Sequence, residues 1–226
     1  MINSVIGFRS AAMAPLELIL VRHGETEWNK ENFFRGHEDV KLNATGIAQA
    51  DAVAEALNDK VFEAIYSSTL KRALVTARRI AMPHDIGVRE RPALLDINYG
   101  AWQGMRESAV AKKYPPLYER WKKTPWKVKF PAGDSVKKTW KRVNTGLREL
   151  LFLHGTGCVV LVSHRIPLKM MTAYLLKKPF KEFYSVVHDP CAISIFEIQD
   201  RRSFKPVILN DTRHLEKLSL PKPRDF

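Results

Sequence analysis

The chain has 226 residues, 45% of them hydrophobic and 27% charged, with a formal net charge of +13. That is the composition of a globular domain rather than of a fibrous or disordered chain. No run approaches the roughly eighteen apolar residues that a membrane span requires, so a soluble, cytoplasmic protein without membrane contact is expected. Its two cysteines, Cys158 and Cys191, sit in apolar runs with no CxxC spacing and are expected to be reduced core residues.

Residues 1–15 lack the apolar stretch of a signal peptide and are expected to form a disordered extension, with a single domain over 16–226. LELILVR (Leu16 to Arg22) has the aliphatic run of a strand buried on both faces. Ala44 to Leu57 places Ala48, Ala52, Val53, Ala56 and Leu57 on one helical face, with Asn43 as N-cap. A second strand, Phe62 to Tyr66, runs into Ser67 and Ser68, read as a strand-to-helix cap, and a helix over Leu70 to Ala81 follows. The apolar strand Val159 to Ser163 leads through His164 into a helical run, Leu168 to Leu176, and strands at Ala192 to Ile198 and Pro206 to Leu209 end the pattern. Strands alternating with helices predict a three-layer α/β/α sandwich with a mainly parallel central sheet, functional residues gathering at the carboxyl ends of its strands.

One segment breaks the alternation. From about 104 to 145 the sequence is helical, interrupted by prolines, and basic, with thirteen Lys or Arg against four acids between Met105 and Leu150. It reads as a helical insertion folded over the strand ends, where it either forms a solvated surface or focuses an anionic ligand.

Three strand ends carry cationic or imidazole groups: Arg22 and His23 after the first, Arg72 in the helix after the second, His164 after the apolar strand. Together they describe a phosphate pocket, in which guanidiniums grip phosphoryl oxygens and a neutral imidazole acts as nucleophile. No carboxylate cluster for a divalent metal is evident, so no metal and no cofactor is expected.

Five segments, in order, resemble the histidine phosphatase superfamily with its phosphoglycerate mutase-like fold: VRHGETEWN (Val21 to Asn29), YSSTLKRALVTA (Tyr66 to Ala77), LLDINYGAWQG (Leu94 to Gly104), VLVSH (Val160 to His164) and NDTRHL (Asn210 to Leu215). The resemblance implies that His23 is phosphorylated and that Arg22, Asn29, Arg72 and His164 bind the transferring phosphoryl group. Glu25 and Thr26 then hold the motif loop by hydrogen bonds. Asp96 stands where the family commonly has a glutamate acid, with a turn cap as its alternative role. Gln103 and Asp134 also replace glutamates. Arg165 replaces the glycine that usually follows the second histidine, and Arg35 stands where a glutamine is common near the entrance, which makes both candidates for selecting the substrate.

The function implied is hydrolysis of a small phosphorylated metabolite through a phosphohistidine. The alternatives are phosphoglycerate mutase-type transfer, or a weakly catalytic binder of an anionic partner that uses the lysines and tryptophans of the insertion. Nucleic acid is the disfavoured partner because no recognised binding motif accompanies those residues, and a homo-oligomer stays open.

Overall fold

Along the first strand, β1 (Leu16–Arg22), side chains alternate between two buried clusters: Leu16, Leu18 and Leu20 enter one, Ile19 and Val21 the other. A strand that feeds two cores needs a layer of helices on each face. The computed structural model, which describes residues 14–199 and 203–218, has that arrangement. Most of the extension expected at 1–15 lies outside the described residues.

The sheet adds β2 (Ala64–Ser67), β3 (Val88–Glu90), β4 (Cys158–Ser163), β5 (Ile193–Ile198) and β6 (Phe204–Asp211), in the order β3-β2-β4-β1-β5-β6. Pairings from β3 to β1 are parallel; β5 is antiparallel to β1 and β6 to β5. After the one-turn helix α1 (Glu27–Lys30), α2 (Ala44–Ala56) and α3 (Lys71–Ala81) cover the Ile19 face. Beyond α4 (Glu107–Lys113) and α5 (Pro115–Lys123), α6 (Val136–Leu153) and α7 (Arg165–Leu175) cover the Leu18 face. Each fully buried Val, Leu or Ile contributes roughly 1.5–3 kcal/mol. That exceeds the few tenths by which helix propensities differ, so packing against the sheet fixes the helices.

Three differences from the sequence reading have local causes. β3 went unpredicted because its three residues, Val88–Glu90, are half-buried or exposed and leave no apolar run. β6 extends beyond 206–209 to Phe204–Asp211, because an edge strand with mostly exposed side chains is recognised by its ladder with β5 rather than by hydrophobicity. The basic segment does not end near 145: α6 runs unbroken through that point to Leu153, burying Val143, Leu147, Leu150 and Leu151 on the sheet.

Two of the four tryptophans between Trp102 and Arg148 belong to the core, and Trp126 and Trp140 are partly buried against it. Trp102 and Trp121 are buried against Phe130, at centroid distances of 5.1 and 5.4 Å. The Trp102 and Trp121 rings are unavailable for stacking on a base.

Candidate active site

Parallel register brings the two histidines together. Arg22 pairs with Ser163 across β1 and β4, so the next residues, His23 and His164, leave adjacent strands side by side; their ring centroids are 5.2 Å apart. Both imidazoles are buried. Ser67 on β2 pairs with Val162, which places Ser68 and the start of α3 at the same sheet edge.

The motif loop after β1 is pinned by two glycines. A Cβ on Gly24 would lie 2.4 Å from the Gly46 carbonyl oxygen, and one on Gly46 only 2.1 Å from that of Glu25, so loop and α2 touch backbone to backbone. Around this contact, Gln49 Oε1 accepts from the Glu25 N–H at 2.8 Å, and Asn43, which caps α2, donates through Nδ2 to Glu25 Oε1 at 2.8 Å. Asn29 Oδ1 accepts from the Thr26 N–H and hydroxyl at 3.0 and 2.8 Å, leaving its amide N–H groups as the donors for anything beyond the loop.

Hydrogen bonds assign both imidazole tautomers. His23 Nδ1 lies 2.7 Å from the Gly24 carbonyl, which can only accept; Nδ1 carries the hydrogen and Nε2 keeps its lone pair. His164 Nδ1 accepts from Arg72 Nε at 3.2 Å, so its Nε2–H donates to Ser68 Oγ at 2.8 Å. Burial, then Arg72, drives the pKa of each histidine well below the ordinary value, and both rings are neutral at pH 7.

The guanidiniums are built in as firmly. Arg22 Nη1 donates to the His188 carbonyl at 2.6 Å. Arg72 donates to the Glu38 and Gly36 carbonyls at 2.7 and 2.8 Å, and its Nη2 lies 3.6 Å from Asp96 Oδ2. Asp39 accepts from the Lys71 N–H at 2.7 Å, so a distant loop caps α3 where Leu70 offers no side-chain cap.

Asp96 is buried, and its Oδ1 accepts from the Ile97 N–H at 2.9 Å. The turn that follows is stabilised by other groups: Asn98 Oδ1 takes the Gly100 N–H, and Asp134 Oδ2 takes the Asn98 N–H. The carboxyl of Asp96 thus sits beside Arg72 rather than serving as the turn's cap. Gln103, another departure from the family pattern, accepts from the His37 N–H at 2.8 Å and joins the Arg35 loop to the Asp96 loop. Arg35 and Arg165 are both buried and line one small cleft with Asp96, Phe33, Phe34 and Tyr99. Arg165 also lies over the Tyr184 ring, 5.9 Å from its centroid.

Sequence reasoning missed Arg142. From α6 its Nη1 donates to the carbonyls of Pro92, Ala93 and Leu95, and its Nη2 to that of Asp96, at 3.3, 2.8, 2.9 and 2.9 Å. His37 Nε2 meets the same Asp96 carbonyl at 2.9 Å. Nothing in a helix dense with lysine and arginine marks one cation as a backbone clamp, so the sequence held no signal for it.

With this geometry in place, the comparisons with known proteins are specific. The model of the histidine phosphatase superfamily (branch 1) matches residues 18–212. Phosphoserine phosphatase 1 of Hydrogenobacter thermophilus is 36% identical over 200 residues, 88% of this chain and 94% of that protein. Among solved structures, a phosphoserine phosphatase from Entamoeba histolytica in complex with 3-phosphoglyceric acid superposes with a TM-score of 0.76 at 29% identity, covering 88% of this chain and 99% of that one. Bacillus stearothermophilus YhfR gives 0.83 at 25% identity, with 88% and 99% covered.

Proposed function

Since this chain belongs to the histidine phosphatase superfamily, branch 1, and is a phosphomonoesterase, we propose that His23 Nε2 is its nucleophile and Asp96 its proton donor toward a small phosphorylated metabolite. The observation that carries the assignment is the His23 tautomer: the Gly24 carbonyl holds Nδ1–H, so the lone pair on Nε2 is free to form a bond to phosphorus.

The neutral imidazole attacks in line. The P–N bond forms as the ester P–O bond breaks, and the Asp96 carboxyl protonates the departing alkoxide. Arg22, Arg72 and the Asn29 amide N–H groups stabilise the equatorial oxygens, because the two guanidiniums are buried and the three side chains are held beforehand by hydrogen bonds. His164 orients Arg72 through Nδ1, and its Nε2–H can pass from Ser68 Oγ to a phosphoryl oxygen. In the second half, the Asp96 carboxylate takes a proton from water, whose oxygen attacks phosphorus; the P–N bond breaks and inorganic phosphate leaves. Burial matters here: a histidine at its ordinary pKa would be partly protonated below pH 7 and inert, whereas this one keeps its lone pair.

The test is direct. The protein is expected to hydrolyse an aryl phosphate in EDTA without added metal and to form an acid-labile, base-stable phosphoenzyme on rapid quench. His23→Ala is expected to lose at least about 10³-fold in kcat and to form no phosphoenzyme. A phosphoenzyme that persists in the variant would overturn the assignment. Interconversion of phosphoglycerates without phosphate release would make the chain a mutase.

A further inference from the structure

Part of the lysine and arginine excess that follows Met105 gathers along one groove, away from the phosphate pocket. On α6 the side chains of Lys138, Lys141, Thr145, Arg148 and Phe152 recur every three or four positions and so share a helical face. Beside that face lies the turn Pro92–Leu94, preceded by Arg91. A hollow of about 480 Å³, lined by Arg91, Arg148, Phe152 and Leu153, continues into one of about 380 Å³ lined by Lys138 and Lys141; Ala93, Thr145, Gly146 and Glu149 line both. Its floor is where helix and turn touch. A Cβ on Gly146 would lie 2.4 Å from the Ala93 Cβ, so only a glycine lets the two approach this closely.

The groove is cationic along its length and apolar at one end. Arg148 bonds within its own helix, to the Asn144 carbonyl and Thr145 Oγ1, and Arg91 lies over the Tyr66 ring at 5.3 Å. Neither they nor Lys141 pairs with a carboxylate among the described residues, whereas Lys138 has Asp134 at 3.3 Å. Arg142 also lines the groove, but its guanidinium is committed to backbone carbonyls. Glu149 is the one acid in the lining. At the end of α6, Phe152 and Leu153 are 72% and 58% exposed, a neighbouring apolar pair where a helix facing only water would carry polar side chains.

We infer that this groove docks an acidic segment of another protein in extended form, its carboxylates meeting Lys141, Arg148 and Arg91 and a bulky apolar side chain resting on Phe152 and Leu153. From Lys138 to Leu153, α6 rises about 22 Å, the length of about seven extended residues. Charge complementarity selects the occupant. A second copy of a chain with net charge +13 would set cations against cations. A nucleic acid would bring its phosphates against Glu149 and find a single aromatic ring to stack on.

The test uses the whole protein and fluorescein-labelled peptides of about seven residues, read by anisotropy. Two carry leucines and a run of aspartate and glutamate, in opposite orders; a third has the acids without the leucines, and a fourth has lysines in place of the acids. One of the two acidic leucine peptides is expected to bind, more weakly as salt rises, and the lysine peptide is not. The acids alone are expected to bind at least about tenfold more weakly, the worth of one buried leucine. Leu153→Asp, and Arg91→Glu combined with Arg148→Glu, are each expected to weaken binding at least about tenfold while leaving aryl phosphate turnover and Tm at wild-type values. The milder Leu153→Ala separates a lost contact from a disturbed helix end. No binding of either leucine peptide, or equal binding of the acids with and without leucines, would overturn the inference. So would a single-stranded oligouridylate that binds more tightly than the peptides, which would make the groove a nucleic-acid site. A wild-type dimer in sedimentation that Leu153→Asp converts to monomer would assign it to a second copy of the chain.

Discussion

The loop that carries His23 and the loop that carries Asp96 are held in place by different means. His23 follows a central strand without a break; its position comes from the β1–β4 ladder and from the backbone contact between Gly24 and Gly46. Asp96 lies between two short 3-10 turns, Pro92–Leu94 and Gly100–Trp102, and is held by side chains reaching in from elsewhere: Arg142 from α6, His37 from the neighbouring loop, Gln103 bridging the two. The frame of His23 is therefore a property of the fold, while the frame of Asp96 is a property of a few replaceable residues. With the roles proposed for the two residues, substitutions in the second frame are expected to damage leaving-group protonation while leaving attack by the imidazole largely intact.

Three measurements probe that contrast. The largest effect is expected for Asp96→Asn: kcat on an alkyl phosphate is expected to fall about 10²-fold or more and that on an aryl phosphate less than about tenfold, because a phenolate departs with little help. Equal losses would remove Asp96 as the donor. Arg142→Met is expected to give the same split at about a tenth of the size, with KM for the aryl ester little changed and Arg142→Lys recovering part of the alkyl rate. A uniform loss that tracks a lowered Tm would make the clamp merely structural. The smallest effect is on stability against pH. The folded state holds His23 and His164 below the ordinary value of 6.5, so the unfolded chain binds more protons on acidification. Stability is complete above about pH 6.5 and falls below it; the Tm is expected to drop between pH 7 and pH 5, less steeply in His164→Gln. An unchanged slope in that variant would show that His164 does not contribute.

The same contrast explains what the sequence disclosed. Arg22, His23 and His164 were legible because each immediately follows an apolar run whose strand character is plain, and parallel strands bring such ends to one edge. Arg72 followed from its place in the first turn of α3. Asp96 was visible as a departure within a motif, but not its neighbours: a carboxyl beside Arg72 and a backbone clamped by Arg142 are contacts across 24 and 46 positions of chain. Hydrophobic periodicity says nothing about such contacts. The tail NDTRHL shows the same limit. Asn210 accepts from the Asp189 N–H at 2.8 Å and donates to its carboxylate, and His214 meets the Cys191 carbonyl at 3.0 Å. These bonds tie the segment to the residues whose backbone N–H, at Cys191, meets the Arg22 carbonyl. The string alone suggested a family and not this brace.

The 5.2 Å between the imidazoles has a consequence for how the enzyme can change. That gap is close to the spacing of hydrogen-bonded strands, about 4.8 Å, a constant of the peptide backbone rather than a product of side-chain packing. The sheet thus works as a ruler. Exchanging one aliphatic residue for another in β1 or β4 will alter how long the protein survives heat, yet leave the two rings at the same separation. A single inserted or deleted residue in either strand would turn every following side chain to the other face and part them. Loops such as the one bearing Arg35 have no such restriction, so new substrates are open to this scaffold through its cleft while the distance between its histidines stays fixed.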